Sequence, residues 1–273
     1  MLTRGERLGT LAVLIAAAVV TLYPLIILVN VAFEPLNSTS SAITFNHAFS
    51  LTAFSYAWGE GNFSTYMRNT AIVTVAVVGV STVLAIMAGY AIAVLRPPGS
   101  RLVMWASVFG FMLPVEALII PWYYQLLPLN LVNTYWAMIL PQIAQSVAFG
   151  TFWLQTAFRS LPPSLSESAM LDGVSRWTAL WRVLTPNVAP AVKTLAALLF
   201  LWTWNSFMLP LVMVSKQSLF VVTVGLSNFE GSHFNNYAAL AAGSIIAAGP
   251  VVFVYLFSQR SFVTGLFAGS VVG

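Results

Sequence analysis

The sequence predicts an all-α, polytopic membrane protein with six transmembrane helices and both termini on the cytoplasmic side. Its 273 residues are 59% hydrophobic and only 7% charged, whereas charged residues make up about 25% of a soluble domain. The apolar residues fall into six long runs, and about 20 apolar residues suffice to cross a bilayer as a helix. These observations exclude a soluble fold.

The predicted spans follow from these runs. The first covers residues 11–33, and we expect it to be retained because its 23 residues exceed the about 7–15 of a signal-peptide core. Residues 1–66 thus form one helix with an external loop, and residues 67–273 form a five-helix core with a polar loop at 159–186 and a tail at 259–273. The five core spans are predicted at 67–95, 102–127, 134–158, 187–214 and 237–258.

The basic residues set the predicted orientation. With the N-terminus inside, nine of the eleven Lys and Arg residues lie in cytoplasmic segments, and only Arg68 and Lys216 lie outside. The opposite orientation would reverse this ratio, and an excess of Lys and Arg marks the cytoplasmic side. The polar loop at 159–186 is therefore predicted to be cytoplasmic.

Catalytic chemistry has no visible basis in this sequence. There is no cysteine, the two histidines are far apart, and no paired carboxylates, catalytic triad or glycine-rich phosphate loop occur. We expect no catalytic residue, no metal site and no cofactor in this chain. The net charge of +4 is spread over short loops, as membrane topology requires, and does not indicate nucleic acid binding.

The loop at 159–186 has start and stop signals of its own. Pro162 and Pro163 stop the preceding helix because proline lacks an amide donor. Ser164 and Glu167 have the spacing of a capping box, which predicts a new helix beginning there.

The same loop predicts a second short helix. Asp172 and Gly173 end the first one, since glycine accepts the left-handed backbone of a helix C-terminus. Ser175 is placed to cap the next helix and Pro186 to end it. An ordinary amphipathic interfacial loop would also explain this pattern of helix, turn and helix.

The order of residues in the loop resembles the EAA loop of bacterial ABC importer permeases. Glu167, Ala169, Gly173 and Pro186 fall in register with that pattern, while Ser168 replaces an alanine. In that family the loop is a coupling helix that docks into a groove on the ATP-binding subunit. The resemblance therefore implies a coupling site formed by Glu167, Ser168, Ala169, Met170, Asp172 and Gly173.

Further segments resemble the sugar-importer branch of these permeases, with the maltose-type and glycerol-3-phosphate-type subunits as the nearest likeness. They are 112–114 with 120–121, 129–134, 204–210 and 265–269. The resemblance implies import of a sugar or oligosaccharide across a prokaryotic cytoplasmic membrane. A glycerol-3-phosphate or phosphodiester solute is the alternative, because 112–116 is somewhat like the glycerol-3-phosphate members.

The resemblance also implies partners. They are a dimer of ATP-binding subunits that binds ATP and Mg²⁺, a second and usually different permease subunit, and an external solute-binding protein, all acting at a lipid bilayer.

Polar and aromatic residues inside the predicted spans are candidates for the solute path, namely Glu116, Tyr123, Gln142, Trp204 and Asn205. A carboxylate within a span is costly unless it faces protein, water or a partner. Glu116 could instead bond a neighbouring helix near Pro114, and Asn205 could hold helices together. Aromatic residues near the external ends, such as Tyr123, are also typical of an interfacial belt.

Two other classes of function are compatible with the sequence. A secondary transporter would need its own ion-coupling groups near the membrane midplane. Glu116 is the one candidate for such a group, and a single carboxylate is weak support for this class. A passive membrane anchor would need none of the loop residues.

Overall fold

The computed structural model describes residues 4–36, 49–227, 229 and 236–267. Within those ranges the regular elements are all helical, so the predicted all-α class is confirmed there. Parts of the predicted external loop at 34–66 and of the tail at 259–273 lie outside the described residues.

The helices are numbered here in chain order. They are α1 (Arg4–Ala32), α2 (Thr52–Trp58), α3 (Phe63–Tyr90, extended by a π-helical turn at Ala91–Leu95), α4 (Ser100–Met112), α5 (Val115–Leu126), α6 (Tyr135–Arg159), α7 (Pro163–Leu171), α8 (Arg176–Asn187, with a π-helical turn at Ala179–Leu184), α9 (Ala189–Trp204), α10 (Met208–Met213), α11 (Val222–Ser227) and α12 (Tyr237–Phe267).

Four helices in the described part of the chain are long and apolar enough to cross a membrane, namely α1, α3, α6 and α12. They correspond to the first, second, fourth and sixth predicted spans. Two bent pairs, α4 with α5 and α8 with α9, raise the number to six if each pair is one span.

The third predicted span, at 102–127, is not one continuous helix. The axes of α4 and α5 meet at 102°, across Leu113 and Pro114, which both have extended backbone with ψ of 130° and 128°. Proline disfavours helical backbone in the residue before it, so Pro114 places the break. The second proline of this segment, Pro121, lies inside α5.

The fifth predicted span, at 187–214, is also interrupted. Helix α9 begins after an 82° bend that follows Asn187 and ends at Trp204, and the short α10 begins only at Met208. The prediction that Pro186 ends the preceding helix was wrong by one residue, because α8 continues to Asn187. A break at each end leaves α9 with 16 residues, or roughly 24 Å of helix.

The described residues divide into two compact units. The first contains the described residues of the ranges 1–64 and 225–249. Its core is built largely from alanines, because Ala53, Ala238, Ala241 and Ala242 pack with Val31 at the end of α1. Small side chains let the helix backbones approach closely. The side chains of α1 from Gly5 to Ile26 are exposed, as expected of a helix surrounded by lipid.

The second unit contains residues 65–224 and 250–273, of which the last six lie outside the described residues. One apolar cluster joins α3, α5, the start of α6 and α10. A second joins the end of α3, the C-terminal half of α6, α8 and α9. The first cluster holds the α4–α5 break against α6. The second cluster holds the α7–α8 segment against the ends of α3, α6 and α9.

Two glycines set the distance between α3, α6 and α9. A Cβ at Gly150 would lie 2.7 Å from Ala85 Cβ and 3.2 Å from Leu195 Cδ2, and a Cβ at Gly89 would lie 2.9 Å from the backbone nitrogen of Gln155. No real Cβ tolerates 2.7 Å, so only glycine fits these positions without a shift of the neighbouring helix. These close contacts determine which face of α6 packs against α3 and α9 and which face does not.

Candidate functional site

A cavity of about 680 Å³ is formed where the α4–α5 break meets the middle of α6 and the C-terminal end of α9. It includes the segment between α9 and α10, so both interrupted spans contribute to it. Non-helical backbone at membrane depth is tolerated where it is buried in protein or lines a water-filled cavity. Its lining residues are Phe111, Met112, Leu113, Pro114, Val115, Glu116, Ile119, Trp122, Gln142, Gln145, Ser146, Trp202, Thr203, Asn205, Ser206, Phe207, Met208 and Leu209.

Three of the five residues predicted for a solute path line this cavity: Glu116, Gln142 and Asn205. Glu116 is exposed in the first turn of α5. Gln142 Nε2 donates to Met138 O at 2.8 Å, and Asn205 Nδ2 donates to Leu201 O at 2.8 Å. Each amide is thus held against its own helix, and neither hydrogen bond links two helices.

The other two predicted path residues do not line the cavity. Trp204 is 5% exposed and stacks on Phe200, with ring centroids 5.3 Å apart. Tyr123 is half-buried, packs against the apolar cluster of α3, α5 and α6, and meets Tyr124 edge-on. Both positions are those of packing side chains.

Two aromatic residues of the lining, Trp202 and Phe111, were not among the predicted path residues. Trp202 and Phe111 face the cavity and both also contact Phe149 of α6, with centroids 4.9 Å from it in each case. Phe149 follows Gln142, Gln145 and Ser146 along α6, so these three rings close the cavity toward the C-terminal end of that helix. The sequence offered one signal for the position of the cavity. Gln142, Gln145 and Ser146 are polar residues in an apolar helix, and their spacing places them on one face.

The lining of this cavity contains a single charged side chain. Among the lining residues, all of which the structure describes, Glu116 is the single carboxylate and none is Lys, Arg or His. Aromatic rings, two Gln, one Asn and hydroxyls supply the remaining polar and stacking groups. This chemistry suits a neutral hydroxylated solute and opposes an anion.

A helical hairpin formed by α7 and α8 contains the residues predicted for coupling. Helix α7 ends in a Schellman motif, because Val174 N donates to Ala169 O at 3.1 Å and Gly173 N donates to Met170 O at 3.1 Å. Gly173 has φ of +74°, a backbone region that favours glycine. The predicted end of this helix at Asp172 and Gly173 is confirmed.

The beginning of α7 differs from the prediction. The helix starts at Pro163 with Pro162 as its N-cap, and no side chain caps it, so the capping box of Ser164 and Glu167 is not formed. Proline is well suited to the first helical position because its missing amide hydrogen is not needed there. The second cap is confirmed, since Ser175 Oγ accepts from Thr178 N at 3.2 Å.

The hairpin has a buried base and an apolar tip. Leu180 and Leu184 are buried in the cluster of α3, α6, α8 and α9, which anchors α8 to the bundle. At the tip, Leu171 is 88% exposed and Trp177 is 60% exposed, and Glu167, Ser168, Met170 and Asp172 are exposed as well. Of the predicted coupling residues, only Ala169 is buried. An exposed apolar patch with a polar rim marks an interaction surface.

Comparison with known proteins identifies the family. Residues 81–267 match the family described as the inner membrane component of binding-protein-dependent transport systems. The chain belongs to this family. The match covers the cavity, the hairpin and most of the spans of this permease, which is accordingly a multi-pass inner membrane protein.

The permease has curated relatives of similar length. It is 31% identical to the arabinooligosaccharides transport system permease protein AraQ of Halalkalibacterium halodurans, over 94% of this chain and 93% of that one. It is also 31% identical to the diacetylchitobiose uptake system permease protein NgcG of Streptomyces coelicolor, over 91% and 83%. The maltodextrin transport system permease protein MalD of Streptococcus pneumoniae is 27% identical, over 94% and 92%.

The fold of the permease occurs in a solved structure. A chain of a bacterial ABC transporter involved in the import of the acidic polysaccharide alginate superposes with a TM-score of 0.82 at 22% identity, over 95% of this chain and 98% of that one.

Proposed function

We propose that this permease is a translocating subunit of an ATP-driven importer for a neutral sugar or oligosaccharide, and that the 680 Å³ cavity is part of the solute path. The observation that carries the proposal is the lining, which combines Trp202, Trp122 and Phe111 with amide side chains and contains no basic group. Aromatic faces stack on the apolar faces of sugar rings, and amides bond hydroxyls. The relatives named for arabinooligosaccharides, diacetylchitobiose and maltodextrin support a carbohydrate solute.

The same lining argues against the glycerol-3-phosphate alternative. The strong hydrogen bonds that hold a phosphate come from cationic donors such as Arg and Lys, none of which is among the lining residues, and a carboxylate such as that of Glu116 repels it. The glycerol-3-phosphate or phosphodiester hypothesis therefore rests only on the resemblance of residues 112–116.

The topology proposed is six spans with both termini inside, in which α4 with α5 is the third span and α9 with α10, rather than α8 with α9, is the fifth. The distribution of basic residues supports it, with nine of eleven on the cytoplasmic side. The hairpin of α7 and α8 then lies in the cytoplasm between the fourth and fifth spans.

The hairpin is proposed as the docking element for an ATP-binding subunit. Its exposed tip offers Leu171 and Trp177 for an apolar contact, flanked by Glu167 and Asp172. The buried base, Leu180 and Leu184, connects this tip to α3, α6 and α9. ATP and Mg²⁺ bind the partner, and a movement of the docked hairpin shifts the bundle between its two access states.

The open side of the cavity supports the proposal of a second permease subunit. Glu116, Asn205, Trp202 and Phe207 are exposed although they line it, so this chain forms only part of the wall. A second, usually different permease chain completes the path, and an external binding protein delivers the solute.

The test is an uptake assay on proteoliposomes that contain the complete complex purified through this chain. Labelled maltodextrin, arabino-oligosaccharide and diacetylchitobiose are compared with labelled glycerol 3-phosphate. We expect uptake of at least one carbohydrate that needs external binding protein and internal ATP and is insensitive to ionophores. Uptake that follows an ion gradient without ATP would establish a secondary transporter, and uptake of glycerol 3-phosphate alone would establish the alternative solute.

A further inference from the structure

A second cavity, of about 600 Å³, lies at the end of the bundle where α4 begins and α6 ends. Two guanidinium groups from different helices line it, Arg101 of α4 and Arg159 of α6, together with the hydroxyls of Ser100 and Thr156. No acidic side chain is among its lining residues, all of which are described. Two like charges that share a cavity repel each other, so the site is electrostatically suited to an anion.

The cavity is charged at one end and apolar at the other. Along α4, Met104, Trp105 and Val108 follow Arg101 one and two turns further into the helix, and on α6 Phe152 precedes Arg159 by two turns. A small hydrophilic anion would leave this apolar half unused. An amphiphile with an anionic head and a hydrocarbon chain fits both halves.

The guanidinium of Arg159 is held in place by a buried partner. Gln155 is only 3% exposed, and its side-chain amide lies directly against the guanidinium group of Arg159. This contact restrains a long and otherwise flexible side chain before any ligand arrives. A preorganised guanidinium loses less entropy when it binds a phosphate.

The apolar half of the cavity continues onto the outer face of α4. Leu102, Val103 and Trp105 are 74%, 53% and 63% exposed, and in a membrane-spanning protein such side chains contact lipid. An acyl chain could therefore leave the cavity without crossing a polar surface.

We propose that this cavity binds the phosphate headgroup of an acidic phospholipid, with Arg101 and Arg159 contacting the phosphate and the acyl chain lying along Met104 and Trp105. Basic pockets between transmembrane helices recognise such headgroups, and paired guanidinium groups give bidentate phosphate contacts. The proposal does not depend on which solute the permease transports.

The experiment uses the complex purified through this chain, in phosphatidylcholine nanodiscs with increasing fractions of phosphatidylglycerol brominated on its acyl chains. Quenching of Trp105 is obtained as the difference between the wild type and Trp105→Phe. We expect half-maximal quenching at a low mole fraction, shifted upward by about fivefold for each of Arg101→Gln and Arg159→Gln. Lys193→Gln, which removes an exposed charge outside the cavity, should leave the quenching curve unchanged.

Further control experiments distinguish binding of the acidic lipid from binding of other ligands. Arg101→Lys and Arg159→Lys keep the charge but lose the bidentate contact, so each should shift the curve less than the matching Gln variant, which also controls for folding. Brominated phosphatidylcholine should quench Trp105 only in proportion to its abundance. The proposal is overturned if the Gln variants behave as the wild type, if free glycerol phosphate displaces the lipid at equal concentration, or if Trp105 is not quenched because another subunit covers the cavity.

Discussion

At the scale of single residues, the buried amide of Asn69 connects three parts of the second unit. It is 1% exposed, donates to Ser218 O and Phe220 O at 2.9 Å each, and accepts from Tyr135 Oη at 2.6 Å. We expect Asn69→Leu to lower the free energy of unfolding by about 1–3 kcal/mol for each buried group left unpaired. Tyr135→Phe removes one of these bonds and should cost less. Thermal denaturation of the purified protein measures both, and a neutral Asn69→Leu would contradict this account.

Two tryptophans separated by one residue predict different phenotypes. Trp202 lines the 680 Å³ cavity and Trp204 is buried against Phe200. We expect Trp202→Ala to raise the KM for solute uptake by about tenfold, equivalent to about 1.4 kcal/mol of lost ring contact, with little change in thermal stability. Trp204→Ala should instead destabilise the fold by about 3–5 kcal/mol.

Uptake kinetics and denaturation temperatures, measured on both variants, distinguish these outcomes. If Trp202→Ala left the KM unchanged, the cavity would not be the solute path. Trp202→Phe, which keeps an aromatic ring, should retain most of the wild-type affinity.

Some of the predicted path residues line the cavity and others pack inside the bundle, for a physical reason. Glu116, Gln142 and Asn205 are polar within apolar runs, and polarity predicts proximity to a cavity or a partner. Trp202 and Trp204 have the same chemistry, and only the direction of each side chain around α9 separates lining from packing. That direction depends on the orientation of α9 about its own axis relative to α6. This orientation is set by tertiary packing and cannot be read from local sequence.

At the scale of helices, the apolar runs predict where membrane segments lie but not whether they are straight. The runs at 11–33, 67–95, 134–158 and 237–258 correspond to continuous helices. The runs at 102–127 and 187–214 are also apolar but are broken, because Pro114 and the ends of α9 interrupt the backbone. The cavity lies between these two breaks, so the departures from a simple six-helix pattern create the candidate site.

The crossing of α3, α6 and α9 gives a prediction at this scale. Gly150→Ala introduces a Cβ 2.7 Å from Ala85 Cβ, whereas Gly79→Ala on α3 introduces one with no neighbour within 4 Å. Overpacking should make the first substitution destabilising by about 1–3 kcal/mol. The second should be neutral or stabilising by up to about 1 kcal/mol, because alanine favours the helix. The denaturation temperature of each variant is compared with that of the wild type. We expect a decrease for Gly150→Ala and no change or an increase for Gly79→Ala. Equal shifts for the two variants would refute the close crossing.

At the scale of the whole molecule, the second unit contains one cavity suited to a solute and one surface suited to a partner. The three rings of Phe111, Phe149 and Trp202 lie at one end of the cavity. The base of the hairpin packs into the cluster that contains Leu154, Phe158 and Leu195 of α6 and α9. A displacement of the hairpin therefore acts on the same two helices that form the cavity wall.

The turn at Gly173 allows this link to be tested with a matched control. Gly173 and Gly99 both have positive φ, +74° and +83°, and a Cβ at either would meet nothing within 4 Å. Proline fixes φ near about −65°, so Gly173→Pro and Gly99→Pro impose similar local strain. Only Gly173→Pro disrupts the α7 cap, in which Gly173 N donates to Met170 O.

We expect Gly173→Pro to lower the number of solutes imported per ATP hydrolysed by about tenfold or more, a loss of at least about 1.4 kcal/mol of coupling. The complex should still insert, and Gly99→Pro should retain the wild-type ratio. Glu167→Ala, which leaves the backbone intact, should lower the ratio less. ATP hydrolysis and uptake measured in the same proteoliposomes give the ratio directly. A normal ratio for Gly173→Pro would mean that the hairpin transmits nothing, since the cap that shapes its tip would be absent while transport continued.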